Sequence, residues 1–252
     1  MAFRLVSLVL FALQLLVLAR NPKRGLAFPT EPGHLQDIQK ADGPNATVSW
    51  MYNWDVAPAG NVPQQIEFVP MQWGIWGIEK LHDLAIGKGY RTMLAFNEPE
   101  LSGQSNLSPE QAVRLWKTFV RPLNKGGVRL GSPGISSAPS GKIWLQKFFS
   151  LCGADCGVDF VAVHWYGEGI QNFMNYLHEI HATFPHHPIW ITEFGCTSGS
   201  DQEVIEFLQR ALDFMDSMSW VERYAWFAFD RTTTDLLDAH GNLNVLGALY
   251  LK

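Results

Sequence analysis

The chain has 252 residues, 47% hydrophobic and 17% charged, with a formal net charge of −5 at pH 7. That is enough to bury a full core, in one large domain or two small ones, while the negative balance argues against a nucleic-acid binder, whose binding face is ordinarily basic. Ten tryptophans, beside 16 phenylalanines and 6 tyrosines, exceed ordinary core needs; sugars present flat C–H faces that stack on aromatic rings, so the excess points toward carbohydrate.

Arg4 gives the N-terminus a positive start, residues 5–19 are apolar apart from Ser7 and Gln14, and Val17-Leu18-Ala19 fits the small-residue rule for cleavage. Residues 1–19 therefore read as a secretory signal peptide and 20–252 as the folded domain. The apolar run is short for a membrane span, and no later segment is long and apolar enough to make one. Lys23-Arg24 reads either as a dibasic processing site or as the start of the first strand. Strand-like runs follow at 23–28, 48–54, 66–74, 92–98, 128–134, 159–167, 188–195 and 222–230. No strong helix follows the first strand, but helical patterns separate most of the others, at 75–86 and 172–184 among them. Ser108-Pro109-Glu110-Gln111 supplies an N-cap serine, a proline at the first helical position and the glutamine of a capping box, ahead of Val113, Leu115, Trp116, Phe119 and Val120. Ser200-Asp201-Gln202-Glu203 repeats that logic, ahead of Val204, Phe207, Leu208, Ala211, Leu212 and Met215 at the spacing of one buried face.

Eight strands alternating with helices predict an α/β fold, a single (β/α)8 TIM barrel. The rival, a doubly wound open sheet, usually carries a glycine-rich phosphate turn after an early strand, and none is present. Of the three cysteines, Cys152 and Cys156 are close enough to close a small disulfide loop, and no second ligand pair follows to make them a metal signal. Cys196 is the odd one, a buried thiol or a reactive one. Asn45-Ala46-Thr47 and Asn106-Leu107-Ser108 are glycosylation sequons in predicted loops.

The active site of such a barrel lies at the C-terminal ends of its strands. Those ends carry Tyr52, Asn53 and Trp54; Gln72 and Trp73; Asn97 and Glu98; His164 and Tyr166; Glu193; and Trp226. Acids, amides, an imidazole and aromatics suit a neutral polyhydroxylated ligand, and the Lys and Arg of a phosphate site are missing. Glu98 and Glu193 each follow a strongly apolar strand and precede a turn. Two carboxyls facing each other across a sugar are what glycoside hydrolysis requires. Asp230 is the runner-up acid, Glu100 reads as surface, and Glu67 and Glu222 sit at strand starts, the stability end. On an ideal strand Asn97 and Glu98 point to opposite faces, so a bulge or twist is expected where both reach the mouth.

Asn97-Glu98-Pro99 and Thr192-Glu193-Phe194-Gly195 resemble the fourth- and seventh-strand motifs of the large clan of retaining (β/α)8 glycosidases. More narrowly, Lys23-Arg24-Gly25-Leu26-Ala27, Val48-Ser49-Trp50-Met51-Tyr52-Asn53-Trp54, Pro70-Met71-Gln72-Trp73-Gly74 and the run from Asp159 through His164-Trp165-Tyr166-Gly167 resemble glycoside hydrolase family 128, small and mostly fungal endo-β-1,3-glucanases. The likeness covers nearly everything after Arg24, and makes Lys23-Arg24 part of the fold. It implies that Glu98 is the acid/base and Glu193 the nucleophile, that Asn97 bonds the sugar 2-hydroxyl, that His164 and Tyr166 orient nucleophile and ligand, and that Trp226 floors the cleft, followed by a cis Trp226–Phe227 peptide. Asn53, Trp54, Gln72 and Trp73 are the further substrate contacts expected, and fungal members often carry a cysteine pair where Cys152 and Cys156 stand. Retention requires carboxyls about 5 Å apart, whereas about 8 Å would mean inversion. No metal or organic cofactor is needed. The expected partner is a β-1,3-glucan polysaccharide or oligosaccharide, with no nucleic acid and no membrane after signal cleavage, met outside the cell or in its wall by a monomer. The alternatives are a non-catalytic barrel that binds cell-wall β-glucan and a retaining glycosidase acting on another β-glycan.

Overall fold

The computed structural model describes residues 20–43, 46–232 and 234–252; the expected signal peptide at 1–19 and the sequon residue Asn45 lie outside the described residues. Each strand-like run of the sequence yields strand: β1 (Arg24–Ala27), β2 (Trp50–Tyr52), β3 (Glu67–Phe68), β4 (Met71–Gln72), β5 (Thr92–Asn97), β6 (Arg129–Gly134), β7 (Val161–Gly167), β8 (Ile189–Cys196) and β9 (Val221–Trp226). The run at 66–74 gives two short strands because it changes neighbour at Pro70, which has no N–H for the ladder. Val69 donates its N–H to Met51 of β2, while the Pro70 carbonyl accepts from Leu94 of β5.

All pairings between these strands are parallel. They form a six-stranded sheet ordered β3-β2-β1-β9-β8-β7 and a three-stranded sheet ordered β4-β5-β6. The fold is thus α/β with parallel strands in two sheets, where the sequence predicts one continuous ladder. Backbone hydrogen bonds still cross the second seam, from Ser132 to Phe160 and from His164 to Ile135.

The helices are α1 (Leu81–Gly87), α2 (Pro109–Leu115), α3 (Pro139–Cys152), α4 (Ile170–Thr183), α5 (Asp201–Ser217) and α6 (Val245–Tyr250). Both expected capping boxes form, at Ser108 with Gln111 and at Ser200 with Glu203. α2 is shorter than its apolar pattern implies: it continues as a π turn, Trp116–Val120, and a 3-10 turn, Arg121–Gly126, ahead of β6. The link after β1 contains only a 3-10 segment, Leu35–Asp42, clamped by the Arg231 guanidinium on Asp37 at 2.6 and 2.8 Å. Cys152 and Cys156 form a disulfide at the end of α3, and Cys196 is a buried free thiol. Among the described residues no helix is long and apolar enough to cross a membrane.

Strand alternation sorts the core into two layers. Outward side chains such as Leu26, Met51, Val163 and Ile191 pack under the helices. Inward ones, including Ala27, Trp50, Leu94, Phe160, Ala162, Trp190 and Ala225, fill the space between strands. Trp190 stacks on Phe160 at 3.9 Å and tilts against Trp50 at 5.2 Å. Arg223 covers Trp190 at 4.6 Å and pairs with Glu67, and Arg129 pairs with Glu222, so the strand starts are closed by aromatics and ion pairs. The bulky indoles need small partners. A Cβ on Gly25 would lie 2.1 Å from the Trp50 ring, so Gly25→Ala cannot fit unless the indole moves. Overpacking of this kind costs about 1–3 kcal/mol. Gly25→Ala is expected to lose at least about that much stability in urea unfolding; an unchanged midpoint would show that the indole is free to shift.

Candidate active site

The residues at the C-terminal ends of β5, β7 and β8 converge. Glu193 lies in β8 and is buried. Its Oε1 accepts from Trp54 Nε1 at 2.8 Å and from Tyr52 Oη at 3.1 Å, and its Oε2 accepts from Tyr166 Oη at 2.5 Å. Glu98 follows β5 and is also buried. Between the two sits His164, fully buried, with Nδ1 2.9 Å from Glu98 Oε1 and 3.5 Å from Glu193 Oε2. One ligand atom from each of these three residues lies within 4.8 Å of the others. The imidazole has room because β6 ends in a glycine: a Cβ on Gly134 would stand 3.3 Å from His164 Nε2.

The expected irregularity at Asn97 and Glu98 is present. Phe96 and Glu98 have left-handed φ of 46° and 39°, and the β5–β6 register shifts on both sides of Ala95. Phe96 stays in the outer core while Asn97 and Glu98 both line the cleft. Left-handed non-glycine residues cost of order 1–3 kcal/mol each. The backbone is held against that cost: Asn97 donates its N–H to Trp73 O at 2.8 Å and Glu98 to Gly134 O at 2.7 Å. Trp54, at φ 59°, is turned over Glu193 in the same way.

The cleft has a volume of about 450 Å³. Glu98, Glu193, Asn97 and Tyr166 form its polar part, and Trp54, Trp73, Phe227 and Pro29 its apolar walls, with Gln104 at the side. A larger concavity of about 620 Å³ lies at the strand starts, but there Glu67 is salt-bridged to Arg223. Burial, reinforced by the Glu193 charge, holds the Tyr166 and Tyr52 hydroxyls far above their ordinary pKa, so both keep their protons and donate. Burial alone would lower the His164 pKa; the Glu193 charge and the hydrogen bond and charge of Glu98 outweigh it and raise the value.

Several expected contacts are placed elsewhere. Asn53 is a turn brace: its amide donates to Ala57 O, and its Oδ1 accepts from the Asp55 N–H. Gln72 is buried and donates to Gly74 O and Trp76 O, shaping the loop rather than the cleft wall. Trp226 faces the outer core, against Phe194 and Phe207, because strand alternation turns it away; Phe227 takes the wall position. The cis peptide is Phe227–Ala228, one residue beyond the expected bond. His164 reaches Glu98 more closely than the expected nucleophile. Asp230 sits 3.8 Å from His34 and is not on the cleft wall. Glu100 is not a free surface acid, since its Oε1 accepts the Ser136 N–H at 2.7 Å. Alternation would have indicated Phe227, two residues after inward-facing Ala225; Gln104 and Pro29 lie in loops where no periodic signal exists.

Glu98, His164 and Glu193 also have the donor types of a metal site. Their facing atoms are already engaged: two tyrosine hydroxyls and an indole N–H point at Glu193, and the imidazole at Glu98. Hydrogen donors aimed at those lone pairs compete with a cation, so the arrangement favours an organic ligand between the two acids.

The model of the family described as "Glycosyl hydrolase catalytic core" matches residues 25–250. Alkali-sensitive linkage protein 1 of Schizosaccharomyces pombe is 36% identical over 247 residues, which are 91% of this chain and 44% of that protein; the chain therefore spans less than half of that relative. Among solved structures, a curdlan-specific exo-β-1,3-glucanase of glycoside hydrolase family 128, subgroup III, from Blastomyces gilchristii matches with TM-score 0.80 at 35% identity, covering 92% of this chain and 100% of that one. A subgroup I endo-β-1,3-glucanase from Amycolatopsis mediterranei, in complex with laminaritriose, matches with TM-score 0.77 at 32% identity, covering 91% and 98%.

Because the His164 pKa is raised on folding, folding favours its charged form. That contribution is complete below about pH 6.5, the unfolded value, and fades as pH rises through the folded value. The stability difference between wild type and His164→Asn is expected to shrink from pH 6 to pH 9 in denaturant unfolding; a difference that stays constant would contradict a charged imidazole between the acids.

Proposed function

The chain belongs to glycoside hydrolase family 128, and from that premise we propose that it hydrolyses β-1,3-glucan with retention, using Glu193 as nucleophile and Glu98 as acid/base. The observation that carries this reading is the closeness of the two carboxyls around His164, with oxygen atoms within 4.8 Å. That closeness, measured between one oxygen of each carboxyl, is in keeping with the short spacing of retaining enzymes, about 5–5.5 Å between the groups.

In the first step a Glu193 oxygen attacks the anomeric carbon and the glycosidic bond breaks. Glu98 gives its proton to the departing oxygen, leaving a glycosyl ester on Glu193. In the second step Glu98 takes a proton from water, whose oxygen displaces the ester, and both carboxyls return to their starting states. The donors on Glu193 keep one oxygen aimed at the sugar. His164 bridges the acids and offsets part of their mutual repulsion. Asn97 bonds the 2-hydroxyl, and Trp54, Trp73 and Phe227 stack on sugar faces.

Two adjacent acids, Glu193 fixed by tyrosine and indole donors and Glu98 by the His164 imidazole, speak against an idle glucan-binding barrel. We carry endo action as the first reading; the exo action of the Blastomyces gilchristii enzyme at 35% identity favours exo action as the second. We further propose that β3 and β4 are halves of one interrupted strand, giving eight strands of a single barrel, supported by the hydrogen bonds at both sheet seams. Residues 1–19 act as the signal peptide and 20–252 as the catalytic domain of a secreted or wall-resident monomer. Asn106, exposed, and Asn45 are the proposed glycosylation sites.

On a linear β-1,3-gluco-oligosaccharide, Glu98→Ala and Glu193→Ala are each expected to lose about 10³-fold or more in kcat, which is about 4 kcal/mol of barrel-bound transition-state stabilisation. On an aryl β-glycoside, whose leaving group departs without a proton, azide should restore Glu193→Ala with an α-glycosyl azide as product and Glu98→Ala with the β-anomer. Full activity in either variant would end the two-carboxylate reading, and product lengths from an end-labelled oligomer separate endo from exo.

A further inference from the structure

Asn97 is buried on the cleft wall beside Glu98, yet its Oδ1 has no hydrogen-bond partner among the described residues. Buried acceptors are normally satisfied, so an orphan facing a cleft marks a place where a ligand donates. The other half of the amide is committed: Asn97 Nδ2 donates to Gln104 Oε1 at 3.1 Å. Gln104 lines the same cleft, and its own amide N–H groups make no hydrogen bond among the described residues. One bond therefore fixes both amides and leaves an acceptor on Asn97 and a donor on Gln104. A sugar hydroxyl can donate to the Asn97 acceptor.

Gln104 is not on a free loop. Leu101 N–H bonds Glu98 O at 3.0 Å, Gln104 N–H bonds Leu101 O at 3.1 Å, and Ser105 N–H returns to Asn97 O at 3.1 Å. The segment after β5 folds back onto the strand end that carries Asn97 and Glu98. Without the Gln104 acceptor nothing else described holds the Asn97 amide, whose oxygen and nitrogen ends could exchange by rotation.

We propose that Gln104 is a positioning residue: its Oε1 fixes the Asn97 amide, so that the Asn97 oxygen faces the cleft and accepts from a hydroxyl of the sugar undergoing cleavage. This rests on the reading of Asn97 as a sugar contact given above. Hydrogen bonds to that part of the sugar strengthen toward the transition state, so the effect falls on kcat more than on KM.

The test is a double-mutant cycle with Gln104→Met and Asn97→Ala, run beside Gln104→Glu, which keeps an acceptor oxygen. Substrates are a linear β-1,3-gluco-oligosaccharide and a β-1,4-linked one. Gln104→Met is expected to lose about tenfold in kcat with KM within about twofold, Gln104→Glu to stay within about threefold of wild type, and the double variant to be no slower than Asn97→Ala. A tenfold loss that persists in the Asn97→Ala background, a loss confined to thermal stability, or failure of the Glu variant to retain activity would overturn the proposal. Which oligosaccharide the wild type cleaves tests the substrate reading, and the coupling is measured on that one. Cleavage without coupling overturns the Gln104 role alone, and cleavage of neither overturns both.

Discussion

Two carboxyl groups held close together in a buried pocket are an unfavourable arrangement, and the rest of the site is organised to make it stable. Burial penalises each charge and proximity penalises the pair. The compensation comes from donors: Tyr52, Trp54 and Tyr166 on Glu193, and the buried His164 beside both acids. The donors come from separate strands and loops, so the site exists only when β2, β5, β7 and β8 are correctly placed around it. The hydrogen bonding is also unequal. Glu193 receives three neutral donors, whereas the contact of Glu98 is the imidazole. A nucleophile has to present a fixed anionic oxygen, while an acid/base has to exchange a proton with what enters the cleft; the unequal settings fit the roles proposed for them.

The opposite ends of the same strands are built differently. Trp50, Trp190 and Phe160 fill the interior, and Arg223 and Arg129 close it with Glu67 and Glu222. Dense aromatic packing and ion pairs there contrast with the left-handed residues at the mouth, Trp54, Phe96 and Glu98. A rigid lower half lets the upper half hold unfavourable backbone, because the strained residues are fixed by hydrogen bonds to neighbouring strand ends rather than by their own preference. Function and stability are thus divided along each strand.

Much of this was legible in the sequence, and the physical reasons are local. An apolar run that stops at a glutamate before a turn is an unusual pattern, so Glu98 and Glu193 stood out, as did Tyr166 two residues after His164. Alternation also exposed the conflict at Asn97 and Glu98 that the shifted register resolves. Strand-end position alone did not separate residues facing the cleft from those bracing loops: Asn53 and Gln72 are polar strand-end residues whose hydrogen bonds close turns. Trp226 is marked by its strand-end place and the family resemblance, although the cleft face belongs to Phe227. α3 starts without a side-chain cap, at Ala138, so only Pro139 in its first turn and the spacing of Trp144, Leu145 and Phe148 mark it, and the split at Pro70 depends on which strand lies on each side. Gln104 depends on how a loop folds back, which periodicity does not report.

The central claim, that Glu193 forms a bond to the sugar, is tested most directly by trapping. A 2-deoxy-2-fluoro β-1,3-glucosyl fluoride slows the second step and lets the ester accumulate, and peptide mass spectrometry then locates the label. The account predicts one sugar per chain, on the peptide holding Glu193, with loss of activity that tracks labelling. A label on Glu98, or turnover of the natural oligosaccharide to a first-formed α-anomer with no label anywhere, would contradict it.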